Sequence, residues 1–296
     1  MRDCNEKNIT TAVLEAFQGT PEVRLKAIMS SLIRHLHDFV REVELTTDEW
    51  DRAIDYLSRT GQGCTAERQE FILLSDVLGV SMLVDAINHR MPGGATETTV
   101  LGPFYVQNPP ELPHGYDVSR GLKGEPLFVE GFVLSATLTP IANAIVDIWQ
   151  AESEGFYDVQ RTELPGSTLR GRFRTDREGR FHFWSIMPTS YPVPQDGTAG
   201  ELLRATARHP YRPAHLHFLI AAEEHETLVT HLFVDGDPYL NSDAVFGVKE
   251  SLIRNFTKEE PGAAPDGRTM DRPWRKLTST FRLKGAAKPS AAPRAA

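Results

Sequence analysis

Over the first third of the chain, apolar residues recur every three or four positions, the period of a helix with one buried face. The pattern predicts helices over residues 10–17, 21–43, 47–58 and 66–88. Thr20-Pro21 supplies an N-cap followed by proline at the first helical position. Thr46 with Glu49 forms a capping box, and Gly61-Gln62-Gly63 separates the third helix from the fourth. That fourth helix is apolar nearly all round (Phe71, Leu74, Val77, Leu78, Val80, Met82, Leu83), so burial against a second domain or another subunit is expected. Met91-Pro92-Gly93-Gly94 ends the helical part. Beyond it the pattern changes to short β-rich runs separated by Gly, Pro and Asp, predicting strands near 127–135, 144–150, 171–175, 180–185, 214–222, 226–234 and 278–283. Asp176-Arg177-Glu178-Gly179 is a turn between two of them. No helical pattern alternates with these strands, which disfavours a parallel α/β fold and points to an antiparallel sandwich. The fold class expected is therefore α+β. A helical domain (1–95) precedes a β-sandwich domain (96–283), and an Ala/Pro/Lys-rich tail (284–296) is expected to be disordered.

Composition narrows the function classes. The chain has 296 residues, 40% hydrophobic and 24% charged, the make-up of a globular protein with a substantial core. A net charge of −8 argues against nucleic acid or an anionic membrane as the main partner. No apolar run approaches the ~20 residues of a membrane span, so no membrane insertion is expected. Met-Arg-Asp-Cys-Asn-Glu-Lys lacks the apolar core of a secretory signal. Cys4 and Cys64 alone give neither a disulfide framework nor a thiolate cluster, so a reducing cytoplasm is the expected location. Any metal site must then draw on His, Tyr, Asp or Glu.

One segment offers such ligands directly. In His215-Leu216-His217-Phe218 the strand period puts both imidazoles on one face and Leu216 and Phe218 on the other, the geometry of a paired metal ligand. Two hydrogen-bonded, half-buried histidines would give the same pattern. Tyr157, after the strand Ile145-Val146-Asp147-Ile148-Trp149-Gln150, and Tyr191, on a proline-stiffened loop, are each by themselves ordinary loop tyrosines. A cupin reading of His-x-His fails on spacing, because Glu223 stands six residues past His217 and position 209 is His.

Together, Leu101-Gly102-Pro103-Phe104, Asp147-Ile148-Trp149-Gln150-Ala151, Gly155-Phe156-Tyr157-Asp158, Leu169-Arg170-Gly171, Tyr191-Pro192-Val193-Pro194, Arg212-Pro213-Ala214-His215-Leu216-His217 and Asp243-Ala244-Val245-Phe246-Gly247 are decisive. The set resembles the intradiol ring-cleaving dioxygenases, nearest their hydroxyquinol-cleaving branch, from about residue 8 to 283. The resemblance implies one non-haem Fe(III) per subunit, held by Tyr157, Tyr191, His215 and His217. A hard ferric ion suits such a set, because coordination deprotonates a phenol of ordinary pKa ~10 and two phenolates offset much of its charge. Zinc or ferrous iron would be expected with thiolate or carboxylate in their place. The resemblance further implies catalytic roles for Tyr191, as acceptor of a substrate proton, and Arg212, as stabiliser of negative charge on the ring. Arg212 in a purely structural salt bridge is the plain alternative.

The implied substrates are O2 and a small aromatic diol or triol, held by Leu73, Asp76, Val100, Leu101, Gly102, Pro103, Phe104, Val193, Pro194, Arg212 and Val245. Asp76 is costly to bury in its apolar run without a partner, and a third hydroxyl, as in benzene-1,2,4-triol, would be one. Capping a neighbouring element, or pairing with an arginine, would also serve. His231 stands where Gln is expected in catechol-cleaving relatives. Leu101 stands where some hydroxyquinol enzymes are expected to carry Phe, which keeps catechol and chlorocatechol as alternative substrates. The helices are expected to pair in a homodimer, where the family holds a phospholipid. A transthyretin-like binding module and a zinc hydrolase are the readings from other classes.

Overall fold

The computed structural model describes residues 2–65, 68–90, 94–161 and 166–286. The start of the expected fourth helix at Ala66, the break at Met91-Pro92-Gly93 and the tail from residue 287 onward lie outside them. Cα packing divides the chain between Arg59 and Thr60.

The first unit holds α1 (Ile9–Ala16), α2 (Val23–Glu42) and most of α3 (Thr47–Gln62). The Glu22 carboxylate caps α2, accepting from the amides of Arg24 and Leu25 at 2.8 and 2.5 Å, so this helix starts two residues beyond Pro21. The Thr46–Glu49 box forms as the sequence predicts, with reciprocal bonds of 3.0 and 3.3 Å. Along α2, Leu25, Ile28, Leu32, Leu36, Phe39 and Val43 form one exposed apolar stripe.

In the second unit the single helix expected over 66–88 is two, α4 (Glu70–Val77) and α5 (Val80–Asn88). The apolar periodicity runs through the break, but Gly79 sits at φ +73°, a left-handed conformation that a helix cannot carry and that glycine adopts freely. The strands follow: β1 (Pro126–Ser135), β2 (Ile145–Trp149), β3 (Arg170–Arg174), β4 (Arg180–Ile186) and the short β5 (Tyr191–Pro192). Helix α6 (Thr198–Ala205) precedes β6 (Tyr211–Arg212), β7 (His215–Ala221) and β8 (Leu228–Val234). The chain ends in β9 (Ile253–Arg254), β10 (Thr257–Glu259), β11 (Gly262–Ala263), β12 (Thr269–Met270) and β13 (Trp274–Leu283).

Two sheets form the sandwich, ordered β10-β13-β1-β4 and β3-β2-β7-β8-β9. Most ladders are antiparallel, as expected, but β1–β13 and β8–β9 run parallel. Parallel pairing needs a long crossover, and here most of the domain separates β1 from β13. Alternate residues of both sheets meet in one core. Leu127, Val129 and Val133 of β1, Phe181 and Phe183 of β4, and Leu277 and Phe281 of β13 pack with Val146 and Ile148 of β2, Leu216, Phe218 and Ile220 of β7, and Leu232 of β8. Helix α4 belongs with this unit, since the Glu70 carboxylate accepts from the Ala199 amide in the first turn of α6 at 3.0 Å. That contact fixes the helix bearing Leu73 and Asp76 against the sandwich. Among the described residues no helix is long and apolar enough to cross a membrane.

Candidate metal centre and substrate pocket

With Leu216 and Phe218 committed to the core, alternation along β7 sends His215 and His217 to the opposite face of the five-stranded sheet. Both are buried there. His215 Nδ1 lies 2.6 Å from the Pro213 carbonyl, so it donates and leaves the Nε2 lone pair free to bind. The His217 ring is held by stacking on Trp149, its cross-strand neighbour, at 4.6 Å and 14°.

Tyr157 follows β2 in a loop anchored by Asp158, which accepts two bonds from buried Arg170 of β3 at 3.0 and 2.6 Å. Phe104 stacks on the Tyr157 ring at 4.4 Å. The loop can approach Tyr191 because residue 155 is glycine. It sits at φ +89°, and a Cβ there would stand 2.8 Å from Tyr191 Cβ. Tyr191 comes from β5, whose backbone pairs it directly with Arg212 of β6.

The four side chains converge. Tyr157 Oη lies 2.9 Å from Tyr191 Oη and 2.8 Å from His217 Nε2, which is 3.1 Å from His215 Nε2. Donors on a sphere of metal–ligand bonds about 2.0–2.1 Å long stand about 3 Å apart at roughly right-angled or tetrahedral separation. Two phenols and two imidazoles at this spacing fit a hard, highly charged cation. Protonation fits as well. Burial, and then Arg212, push His215 down to about 3, while burial and then His231 hold His217 well below the ordinary range. Both rings are therefore neutral at pH 7, the form a metal ligand needs. Burial and the neighbouring Tyr191 raise the Tyr157 phenol well above 10, and burial raises Tyr191 against the pull of Arg212. Without a cation both remain phenols, and only a strong local positive charge would ionise them.

His231 of β8, not expected among the ligands, completes a buried three-histidine group with nitrogens within 4.8 Å of one another. Its Nδ1 lies 3.4 Å from Arg212 Nη2. Arg212, also buried, donates through Nε to Asp243 Oδ1 at 3.1 Å, and Nη1 lies 3.3 Å from His215 Nε2.

The residues expected to hold substrate fall into three groups. Leu73, Pro103, Phe104 and Pro194 line a cavity of ≈ 280 Å³ together with Arg68, Glu70, Val159 and Asp196. Gly102 lies over His217, where an added Cβ would stand 3.5 Å from Cε1. Asp76, Val193, Arg212 and Val245 are buried, Val100 is half-buried and Leu101 is exposed. Burial pushes the Asp76 carboxyl up, opposed by Ser81 and by Arg212. A roomier cavity of ≈ 540 Å³, between Arg208, His209, Asn241 and Phe246, reaches Asp243 but none of the four convergent donors. Trp149, Arg170 and Asp243 escape sequence reasoning about function although their motifs stand out. What they touch is set by pairing between distant segments, and only the Asp243 segment carries a hint, in its placement beside a pocket residue.

The chain is similar to known proteins over most of its length. Residues 100–284 match the family model described as Dioxygenase, and residues 22–96 match the one described as Catechol dioxygenase N terminus. The chain is 54% identical over 262 residues to 6-chlorohydroxyquinol 1,2-dioxygenase of Cupriavidus pinatubonensis, covering 88% of this chain and 95% of that one. It is 51% identical to hydroxyquinol 1,2-dioxygenase of a Rhizobium species, covering 86% and 87%. The crystal structure of hydroxyquinol 1,2-dioxygenase from Pseudomonas putida DLL-E4 superposes with TM-score 0.89 at 46% identity, covering 95% of this chain and 99% of that one. Catechol 1,2-dioxygenase from Pseudomonas arvilla C-1 superposes with TM-score 0.82 at 30% identity, covering 99% and 96%.

Proposed function

The chain belongs to the intradiol ring-cleaving dioxygenase family, which uses non-haem iron, and on that premise we propose that it cleaves hydroxyquinol (benzene-1,2,4-triol) with O2 to 3-hydroxy-cis,cis-muconate, the enol form of maleylacetate. The observation that carries the reading is the convergence of two phenols and two imidazoles, 2.8–3.1 Å apart, beside a buried arginine. Tyr157, Tyr191, His215 and His217 would hold one Fe(III) per subunit. Bound ferric iron would supply Lewis acidity towards the vicinal diol and the one-electron character that lets a spin-paired ring react with dioxygen.

The chain's own residues do the rest. Tyr191 Oη accepts a proton from a substrate hydroxyl, and its paired neighbour Arg212 stabilises the negative charge that develops on the ring. Leu73, Val100, Leu101, Gly102, Pro103, Phe104, Val193, Pro194 and Val245 wall the ring and exclude water. Asp76 accepts a hydrogen bond from the third hydroxyl, giving a buried carboxyl a partner that catechol lacks. A chlorinated triol is a second reading, favoured by the 54% identical relative's activity on 6-chlorohydroxyquinol.

The helices would join two chains. The α2 stripe is the place where a second copy, or a phospholipid acyl chain, would cover apolar surface. Residues 1–95 would then serve association, apart from Leu73 and Asp76 of α4, which would join 96–283 in the chemistry, in the cytoplasm.

Product analysis under labelled dioxygen tests the reaction. Intradiol cleavage yields a diacid carrying both labelled oxygen atoms. A ring-opened aldehyde acid, or a hydroxylated ring with one label, would contradict it.

A further inference from the structure

We infer that Asp243 is a positioning residue for ring cleavage: with the backbone of the turn that follows it, it fixes the direction in which Arg212 presents its guanidinium. The inference rests on the role given to Arg212 above.

An arginine on a long, rotatable stem carries five donors and can point them several ways. Here the fork is occupied on one side. Nε donates to Asp243 Oδ1 at 3.1 Å and Nη2 donates to Oδ2 at 3.3 Å, which sets the plane of the guanidinium. His231 Nδ1, 3.4 Å from Nη2, flanks the same edge. Nη1 remains as the edge directed at the convergent donors, 3.3 Å from His215 Nε2.

The carboxylate is itself held in place. Its Oδ1 accepts from the Val245 amide at 3.3 Å and its Oδ2 from the Gly247 amide at 2.9 Å. Three residues of one turn thus connect the pocket wall at Val245 with the aim of Arg212. Gly247 leaves room for the pair, since a Cβ there would stand 3.0 Å from Arg212 Nη2 and 3.1 Å from Asp243 Oδ2. Buried ion pairs are often replaceable by apolar residues without loss of stability, so orientation accounts better for this one than stability does.

A double-mutant cycle tests the inference on the iron-loaded enzyme with hydroxyquinol, using D243N, R212Q and the pair, with thermal unfolding of each. G247A is the second probe if D243N fails to fold, because it keeps both charges and only displaces them. The expected result is a fall in kcat of about 10- to 100-fold for D243N or G247A with KM changed by less than about threefold, the signature of misaim rather than lost binding. In the R212Q background the same change at 243 or 247 should cost nothing further. An equal loss in that background, a KM shift as large as the kcat shift, or wild-type kcat in both variants would overturn the inference alone. Equal turnover by R212Q and wild type would remove the role of Arg212 and the inference with it. Absence of turnover by the wild-type enzyme would overturn the underlying reading, and both fall together.

Discussion

Tyr191 holds two positions at once, in the convergent donor set and on the strand that pairs with Arg212. Its replacement by phenylalanine would remove the hydroxyl proposed as one iron ligand and as the proton acceptor, and keep the ring. Turnover of hydroxyquinol should fall by about 10²-fold or more, and the visible phenolate-to-iron absorption of the loaded protein should shift; an unchanged spectrum would remove Tyr191 from the ligand set. Asp76 tests the substrate reading. With Asn in its place the preference for hydroxyquinol over catechol should drop about tenfold, the scale of a hydrogen bond to a charged group; an unaltered kcat/KM ratio would exclude Asp76 from recognition. The pH dependence has a definite sign. Burial raises the folded-state pKa of Asp76 above the unfolded value of about 3.9, so its favourable contribution exists below that pH and is lost as pH rises through the folded value. D76N should therefore unfold at a higher temperature than wild type at pH 7.5, with the gap closing towards pH 4. A gap that widens on acidification would contradict the burial argument. The four convergent donors were legible because strand alternation and motif both survive in a linear reading. Asp243 was not legible as the partner of Arg212, because 31 residues separate them and only the folded chain brings the carboxylate to the guanidinium.

Among the elements, β7 does most to build the site, because its core-facing side fixes Leu216, Phe218 and Ile220 and thereby the direction of both histidines. The seven expected strands all form, with ends shifted by a residue or two except β13, which starts at Trp274 instead of 278. The misses share a cause: local pattern does not report long-range pairing or a single residue's φ. The β5–β6 ribbon pairs only two residues on each strand and runs through proline at 192, and the short strands after β8 carry too few residues for a period. The α4–α5 break hides behind continuous apolar spacing. Close packing between strands gives a further test. Gly131 of β1 faces Phe181 of β4, and a Cβ there would fall 2.2 Å from the phenylalanine Cζ, deep in the core. Gly131→Ala should destabilise the fold by about 1–3 kcal/mol by overpacking, measured by thermal unfolding, while leaving the visible absorption maximum in place. A shifted maximum with unchanged stability would contradict the overpacking argument.

For the whole molecule, association and chemistry make separate demands. The exposed α2 stripe at Leu25, Ile28, Leu32, Leu36, Phe39 and Val43 is apolar surface of the kind an interface covers. Light scattering should report a dimer at micromolar concentration, and the pair Leu32→Glu with Leu36→Glu should convert it to monomer. A wild-type monomer would sink the dimer proposal without touching the reaction. The reaction rests on substrate choice, and oxygen uptake by the purified, iron-loaded protein tests it most directly, with hydroxyquinol and catechol supplied at equal concentrations. The account predicts rapid uptake with hydroxyquinol and slow uptake with catechol. A faster rate with catechol would contradict the assignment of Asp76 and the triol, and no uptake with either, despite bound ferric iron, would contradict the proposed substrate class.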